Sequence, residues 1–232
     1  MHARPQKLVI AIDGPAGAGK STVAAHLARK FGYVNLESGA MYRALALSAI
    51  ESKTDRSSET ELVELARSLK IELIPTGEGN RVLLNGRDVS SRIRERDVTE
   101  AASVVSVHPK VRELMVDVQR QMGANGGVIM EGRDIGTVVF PRADIKIFLD
   151  ADQNVRAERR IAQVNANDPE QAAKLVRELQ ERDQRDKSRP TSPLIAAPDA
   201  IHVDSSRLNL DEVIAEIERI VTTRLVPNSA PL

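Results

Sequence analysis

Between Ile12 and Thr22 the chain reads IDGPAGAGKST, three glycines within six positions closed by Lys-Ser-Thr. Gly14, Gly19, Lys20 and Ser21 fall at the spacing G-x-x-x-x-G-K-S/T, which needs a strand before it and a helix after it. Upstream, KLVIAI (Lys7–Ile12) is a short run rich in β-branched residues and reads as a buried parallel strand. Downstream, Val23, Leu27 and Ala28 share one helical face as far as Arg29–Lys30. Across Gly14, Pro15, Ala16, Gly17, Ala18 and Gly19 the backbone is expected to curl until several N–H groups face one anion, with the helix N-terminus adding its partial charge. Lys20 can then reach the β- and γ-phosphates of a nucleotide, the Ser21 hydroxyl can join the shell of Mg²⁺, and Thr22 completes the cradle. The alternative, a glycine-rich turn with no ligand, does not account for so full a match in its strand–loop–helix context. Such a loop implies a nucleotide and a metal; it does not separate kinases from GTPases, motors or ATP-driven switches.

A second group of charges sits late in the chain, in ERDQRDKSRPTSPL. Arg182, Asp186 and Arg189 lie at i, i+4 and i+7, one face of a helix that Pro190 and Pro193 must end. A charge run alone is most simply a solvated salt-bridge stripe. Here Arg43 and Arg133 follow other strand candidates, so basic side chains from three separate segments suggest a polyphosphate clamp. Arg156, Arg159 and Arg160 open a further helix, and the polar stretch VNANDPEQ after it has no core face and reads as a short mobile lid. Phosphoryl transfer asks little covalent help of a protein; it needs positioning and charge neutralisation, and these residues supply both. No acid–base dyad or nucleophilic triad stands out, and neither a guanine-reading N-K-x-D nor a strand ending in adjacent Asp-Glu is present.

The elements that must hold these groups follow from the apolar pattern. Tyr33–Leu36, GVIMEGRD, IKIFLDA and AIHVDSS read as four more strands, each tied to the next by a helical stretch. Five parallel strands with crossover helices make a doubly wound α/β domain, in which ligands bind beyond the carboxyl ends of the strands. Glu37, Ser38, Tyr42 and Arg43 after the second strand, Glu131 to Asp134 after the third, and Asp150 and Asp152 after the fourth should therefore converge on one rim. Ala40 to Ile50, Glu59 to Leu69, and the face Val111, Leu114, Met115, Val118 and Met122 read as helices, as does a last segment with Val213, Ile214, Ile217, Ile220 and Val221 inward. Ile71 to Val89 breaks the rhythm: it alternates, and Asn85-Gly86 signals a two-residue hairpin, so it reads as an antiparallel insertion. The tail after Val226 is expected to fray.

Composition excludes other classes. The 232 residues have a formal net charge of zero, which argues against binding a nucleic-acid polymer or a membrane surface. There is no cysteine, the four histidines show no metal-ligand spacing, and aromatics make up only 2%, so the core must be aliphatic. MHARPQK lacks the apolar run of a signal peptide and no stretch is long enough to span a bilayer, so a cytoplasmic protein is expected. No long apolar stripe is left over, so a monomer with no obligate protein partner is expected as well.

IDGPAGAGKST, LESGAMYRALA, EGRDIGTVVFP, KIFLDA and RDQRDKSRPTSPL, in this order and spacing, resemble the bacterial cytidylate kinases from about Leu8 to Arg224. The resemblance implies a single P-loop kinase domain over residues 1–232, with a monophosphate-binding insertion at about 38–105 and a lid at about 156–170. It implies transfer of the γ-phosphate of ATP to CMP or dCMP, with Mg²⁺. Carried over by motif, Ser38, Tyr42 and Arg43 lie beside the monophosphate, Arg133 and Arg189 hold its phosphate, and Arg182 and Asp186 lie near the sugar. Ser103, Arg112 and Asp134 face the cytosine, and Arg159 and Arg160 are lid arginines over the transferring phosphate. Glu37 departs from the aspartate more usual there. Some readings remain double: Tyr42 touches ligand or only packs its helix, and Asp150 reaches magnesium through water or, the preferred reading, caps the next helix. His108, before a proline, is expected only to end a helix. A kinase for UMP and a turnover-free ATP-binding module are the competing functions.

Overall fold

The computed structural model describes residues 7–76, 79–164 and 168–225. In chain order its elements are β1 (Val9–Asp13), α1 (Lys20–Phe31), β2 (Val34–Glu37), α2 (Ser38–Glu51), α3 (Glu59–Ser68), β3 (Ile71–Thr76), β4 (Gly79–Leu84), β5 (Arg87–Asp88), α4 (Arg96–Val105), α5 (Pro109–Gly123), β6 (Val128–Gly132), β7 (Ile145–Asp150), α6 (Gln153–Gln163), α7 (Pro169–Ser188), β8 (Ile201–Asp204) and α8 (Leu210–Leu225). A single π-turn, Ile135–Val139, follows β6.

Five of the strands form one parallel sheet in the order β2-β6-β1-β7-β8. The order places β1 between two strands that come much later in the chain, so the crevice above its carboxyl end gathers loops from distant segments. β1 and β6 are buried on both faces, as unbroken apolar strands in an α/β sheet must be. Alternation then divides the packing. Ile10 and Ile12 of β1 face Val23 and Leu27 of α1 and Val213, Ile217 and Val221 of α8. Ala11 faces the other way, with Leu36, Met130, Val116 of α5, and Ile135 and Val139 of the π-turn.

The antiparallel strands β3-β4-β5 form a separate sheet, and the Asn85-Gly86 turn joins β4 to β5. Both turn residues have positive φ (51° and 81°), the conformation of a two-residue hairpin that only Asn, Asp and Gly adopt cheaply. This sheet does not extend the main one. With α2, α3 and α4 it encloses a core of its own, in which Leu45, Leu47, Leu62, Val82, Ile93 and Val98 are fully or almost fully buried. Val111 and Met115 of α5 belong to that core while Val116, one position on, belongs to the sheet core, so α5 joins the two.

Two local expectations change. His108 is the residue before α5, not the end of the helix before it: α4 stops at Val105, Pro109 opens α5, and His108 Nε2 lies 2.9 Å from the Arg56 carbonyl oxygen. Asp150 does not cap α6. Asp152 does, its carboxylate accepting the Asn154 N–H at 2.8 Å, because β7 runs through Asp150 and α6 begins only at Gln153, two residues later than a cap at 150 would need. The expected lid stretch falls partly outside the described residues, and the tail after Val226 lies outside them altogether.

Candidate active site

The loop after β1 is shaped by one close approach. Gly14 has φ 150°, and a Cβ there would fall on the Leu149 carbonyl oxygen of β7, so no side chain fits. The loop ends at Gly19, and Lys20 opens α1. Lys20 is only 6% exposed and its Nζ donates to the Pro15 carbonyl at 2.7 Å, which folds the lysine back over the loop. Burial, and then the charge of Arg133, push the Lys20 ammonium down to about 7.

The loop is braced from outside. Buried Arg156 on α6 donates to the Ala16 carbonyl at 3.0 Å, to the Ala151 carbonyl at 3.0 Å, and to Asp183 Oδ2 of α7 at 2.5 Å. Arg156 and Asp183 were not among the residues expected at the site from sequence. The i, i+3 and i, i+4 spacing between Arg156, Arg159 and Arg160 leaves open which of them faces the loop. The structure turns Arg159 elsewhere: it donates to the Ser205 hydroxyl and carbonyl at 3.0 and 2.7 Å and to the Leu208 carbonyl at 3.4 Å, beyond the end of β8.

Arg160 stays on the site side. Burial and the neighbouring Arg43 lower its pKa. Arg182 of α7 falls to about 10, first by burial and then by Arg133, with Arg43 and Arg160 adding to it. Arg182 also acts on Lys20. Lys20, Arg43, Arg133, Arg160 and Arg182, from five segments of chain, thus press on one another. Cations crowded this closely form a site for a polyanion.

Carboxylates hold part of this cluster in place. Arg133 Nε donates to Asp186 at 2.8 Å, and the attraction outweighs the burial that would lower the guanidinium pKa. Asp186 is held below the usual carboxylate range, because Arg133, Arg182 and Arg189 together outweigh its burial. Arg43 pairs with Glu37. Ser38, also buried, donates to the Glu131 carbonyl at 2.7 Å and ties the start of α2 to the end of β6.

A few residues further along the same wall, Arg112 of α5 donates to Asp134 at 2.5 Å and to the Ser106 carbonyl at 3.1 Å, and its guanidinium lies 5.3 Å from the centre of the Tyr42 ring. Burial pushes the Tyr42 hydroxyl up to about 12. Arg189, at the end of α7, donates to the Ser192 carbonyl at 2.8 Å and has Arg112, Asp186, Asp134 and Tyr42 as its charged and polar neighbours. Ser103 is buried in α4, one turn before Ser106. Arg112 and Gln119 are buried on α5, beside the apolar positions that periodicity marks; a helix face can turn polar groups inward where they line a pocket.

Glu131, next to the end of β6, lies beside Lys20. Burial and the nearby Glu37 raise its pKa, and the Ser21 hydroxyl hydrogen-bonds the same carboxyl group. Its Oε1 is buried with no hydrogen-bond partner among the described residues. A hydroxyl next to a carboxylate with an orphaned oxygen is the donor set of a divalent cation that takes its other ligands from phosphates and water, so the residues present fit Mg²⁺.

A phosphate loop of this pattern on a doubly wound parallel sheet, faced by a cationic cluster and a buried Arg112–Asp134 pair, defines the class of P-loop phosphotransferases. A family model described as cytidylate kinase matches residues 10–223. Cytidylate kinase 1 of Haemophilus influenzae is 48% identical over 212 residues, covering 89% of this chain and 90% of its own. The cytidylate kinase of Geobacillus kaustophilus is 47% identical over 221 residues (95% and 99%), and that of Solibacter usitatus 44% over 225 (96% and 95%). The chain belongs to the cytidylate kinase family.

Proposed function

We propose that the protein transfers the γ-phosphate of ATP to CMP or dCMP, yielding ADP and the nucleoside diphosphate. The observation that carries this reading is the crowding of Lys20, Arg43, Arg133, Arg160 and Arg182 between the phosphate loop and the pocket walled by Arg112 and Asp134. One side of the cluster suits a triphosphate, the other a second phosphate carried by a base-bearing nucleotide.

In this reading Gly14 to Thr22 bind the phosphates of ATP, and Lys20 follows the phosphoryl group from donor to acceptor. Ser38, Tyr42, Arg43 and Arg133 surround the acceptor phosphate, while Arg182 and Asp186 lie near the sugar. Ser103, Arg112 and Asp134 meet the base, and Arg189 joins Arg133 on the acceptor phosphate, beside Arg112 and Asp186. Arg160, with Arg43 and Arg133, neutralises charge as it spreads over the transferring group; because these donors are already in place, little reorganisation is needed at the moment of transfer. Arg159, bound to Ser205, holds α6 against the sheet edge. Ser21 and Glu131 would hold Mg²⁺, which when bound neutralises the β- and γ-phosphates. Residues 38–105 serve as the acceptor-binding part of a single kinase domain and about 156–170 as its lid. The reading needs no protein partner. Among the described residues no helix is long and apolar enough to cross a membrane. The ATP pool it draws on makes the cytoplasm its place of action.

The test is a coupled assay of ADP release from the purified protein with Mg-ATP and CMP, dCMP, UMP, AMP or GMP. Turnover greatest with CMP or dCMP is expected. Greatest turnover with UMP would move the protein to another acceptor, and release with no acceptor at all would leave a nucleotide-binding module.

A further inference from the structure

Asp13 is the last residue of β1 and the residue before Gly14. In the sheet it lies opposite Gly132 of β6, from which the chain continues into Arg133, Asp134 and the π-turn. Its side chain crosses that gap. Oδ1 accepts the N–H of Ile135 at 2.8 Å and Oδ2 the N–H of Gly136 at 2.7 Å. The residue is only 5% exposed. Gly136 leaves the room this requires: a Cβ there would stand 3.3 Å from Asp13 Oδ2 and 3.2 Å from Lys146 Cδ.

One residue is therefore joined covalently to the donor loop and by two hydrogen bonds to the backbone just after Asp134. The arrangement is costly. Burial pushes the Asp13 carboxyl up to about 6, against the pull of the two N–H groups. A residue kept only to fill this space would not need a charge.

We propose that Asp13 is a positioning residue for phosphoryl transfer: by clamping Ile135 and Gly136 to the root of the phosphate loop, it holds Arg133 and Asp134 in register with Lys20 and so sets both alignment and base choice. The inference rests on the kinase reading above. It makes Asp13 a mechanical link between donor and acceptor halves, on the far side of β6 from the contact between Ser21 and Glu131. Arg112 holds Asp134 from the α5 side, and Asp13 holds the same loop from the sheet side.

The test is Asp13→Asn. The shape is kept, but one oxygen becomes an NH₂ that faces an N–H, so one of the two hydrogen bonds is lost. A misplacement of well under an ångström at the acceptor loop should lower kcat with CMP by roughly tenfold or more. The CMP/UMP ratio of kcat/KM should shrink as well, while the dissociation constant of Mg-ATP, read by calorimetry, moves less than about threefold. Gly136→Ala pushes on the same carboxylate from the other side and should shift kcat and the ratio in the same direction; it carries the test if Asp13→Asn does not fold. The amides of Ile135 and Gly136 should exchange with deuterium faster in either variant. A purely structural Asp13 would lower Tm and leave kcat and the CMP/UMP ratio, per folded molecule, unchanged; that result overturns the proposal. So does a loss confined to ATP affinity. Wild-type turnover with CMP, measured alongside, tests the kinase reading separately.

Discussion

The donor and acceptor halves of the site are built in opposite ways. The donor loop is one continuous stretch, Gly14 to Thr22, whose shape depends on local backbone and on one close approach to Leu149. On the proposed function, the acceptor pocket would take Ser38 and Arg43 from α2, Ser103 from α4, Arg112 from α5, Arg133 and Asp134 from the loop after β6, Asp186 from α7 and Arg189 from just past its end. Phosphate is an anion that backbone N–H groups bind without regard to sequence, so one loop suffices. A pyrimidine base must be read by donors and acceptors on several sides, which no single segment can present. The acceptor half therefore depends on paired side chains: Arg112 with Asp134 at 2.5 Å, Arg133 with Asp186 at 2.8 Å.

The sharpest way to break the donor half is Lys20→Ala. A preorganised donor facing charge that develops in the transition state is typically worth about 10²–10³ in kcat. Turnover with CMP should fall by at least that much, with circular dichroism and Tm near those of the wild type, since among the described residues Lys20 makes one hydrogen bond, to Pro15. Near-normal turnover would remove Lys20 from the chemistry.

The acceptor half should fail in selectivity rather than in rate. Cytosine offers an N4 amino donor where uracil has a carbonyl, and a carboxylate accepts from the one and repels the other. Asp134→Asn keeps the shape but can offer N–H to uracil, so the CMP/UMP ratio of kcat/KM should shrink by about tenfold, the 1–3 kcal/mol of a mismatched buried contact. The variant also leaves buried Arg112 without its counter-charge, which costs stability, so the ratio is to be measured at a temperature where the fold is confirmed. An unchanged ratio would take Asp134 out of base reading.

The smallest expected effect concerns the coupling of the two halves. Burial and the acceptor-side Arg133 hold Lys20 at about 7 in the free protein, so at pH 8 it is mostly neutral. Bound phosphates must raise its pKa again. Mg-ATP binding at pH 8 should therefore take up as much as about one proton, and at pH 6, where Lys20 is already charged, the uptake should vanish. Calorimetry at pH 8 in buffers of differing ionisation enthalpy reads this directly. Equal heats in all buffers would mean that Lys20 is charged from the start and that the arginine cluster does not reach it.

Much of this was legible from sequence because it is local. Five apolar strand runs, the strand–loop–helix around Gly14 to Thr22, and the hairpin at Asn85-Gly86 depend on neighbours within a few positions, and the antiparallel insertion was visible as a break in the βα rhythm. What pattern could not decide was orientation. Arg156, Arg159 and Arg160 all lie on α6, yet Arg156 braces the loop and Arg159 turns to Ser205, a choice made by where α7 and the end of β8 lie. Asp150 read as the preferred cap of the next helix, and only where β7 ends and α6 begins gave that role to Asp152. Asp13 could not be told from its neighbours by pattern, since a carboxylate ending a strand has no signature of its own.

The residues themselves determined a parallel α/β sheet with a phosphate loop, because hydrophobic period and glycine spacing act over short distances along the chain. The tertiary structure alone decided which charges meet. The strand order seats β1 between β6 and β7, residues more than a hundred positions away in the chain. Whether a buried charge is held by a partner or pressed by its like depends on ångströms across that gap, because Coulomb energy falls with distance in space and is blind to separation in sequence.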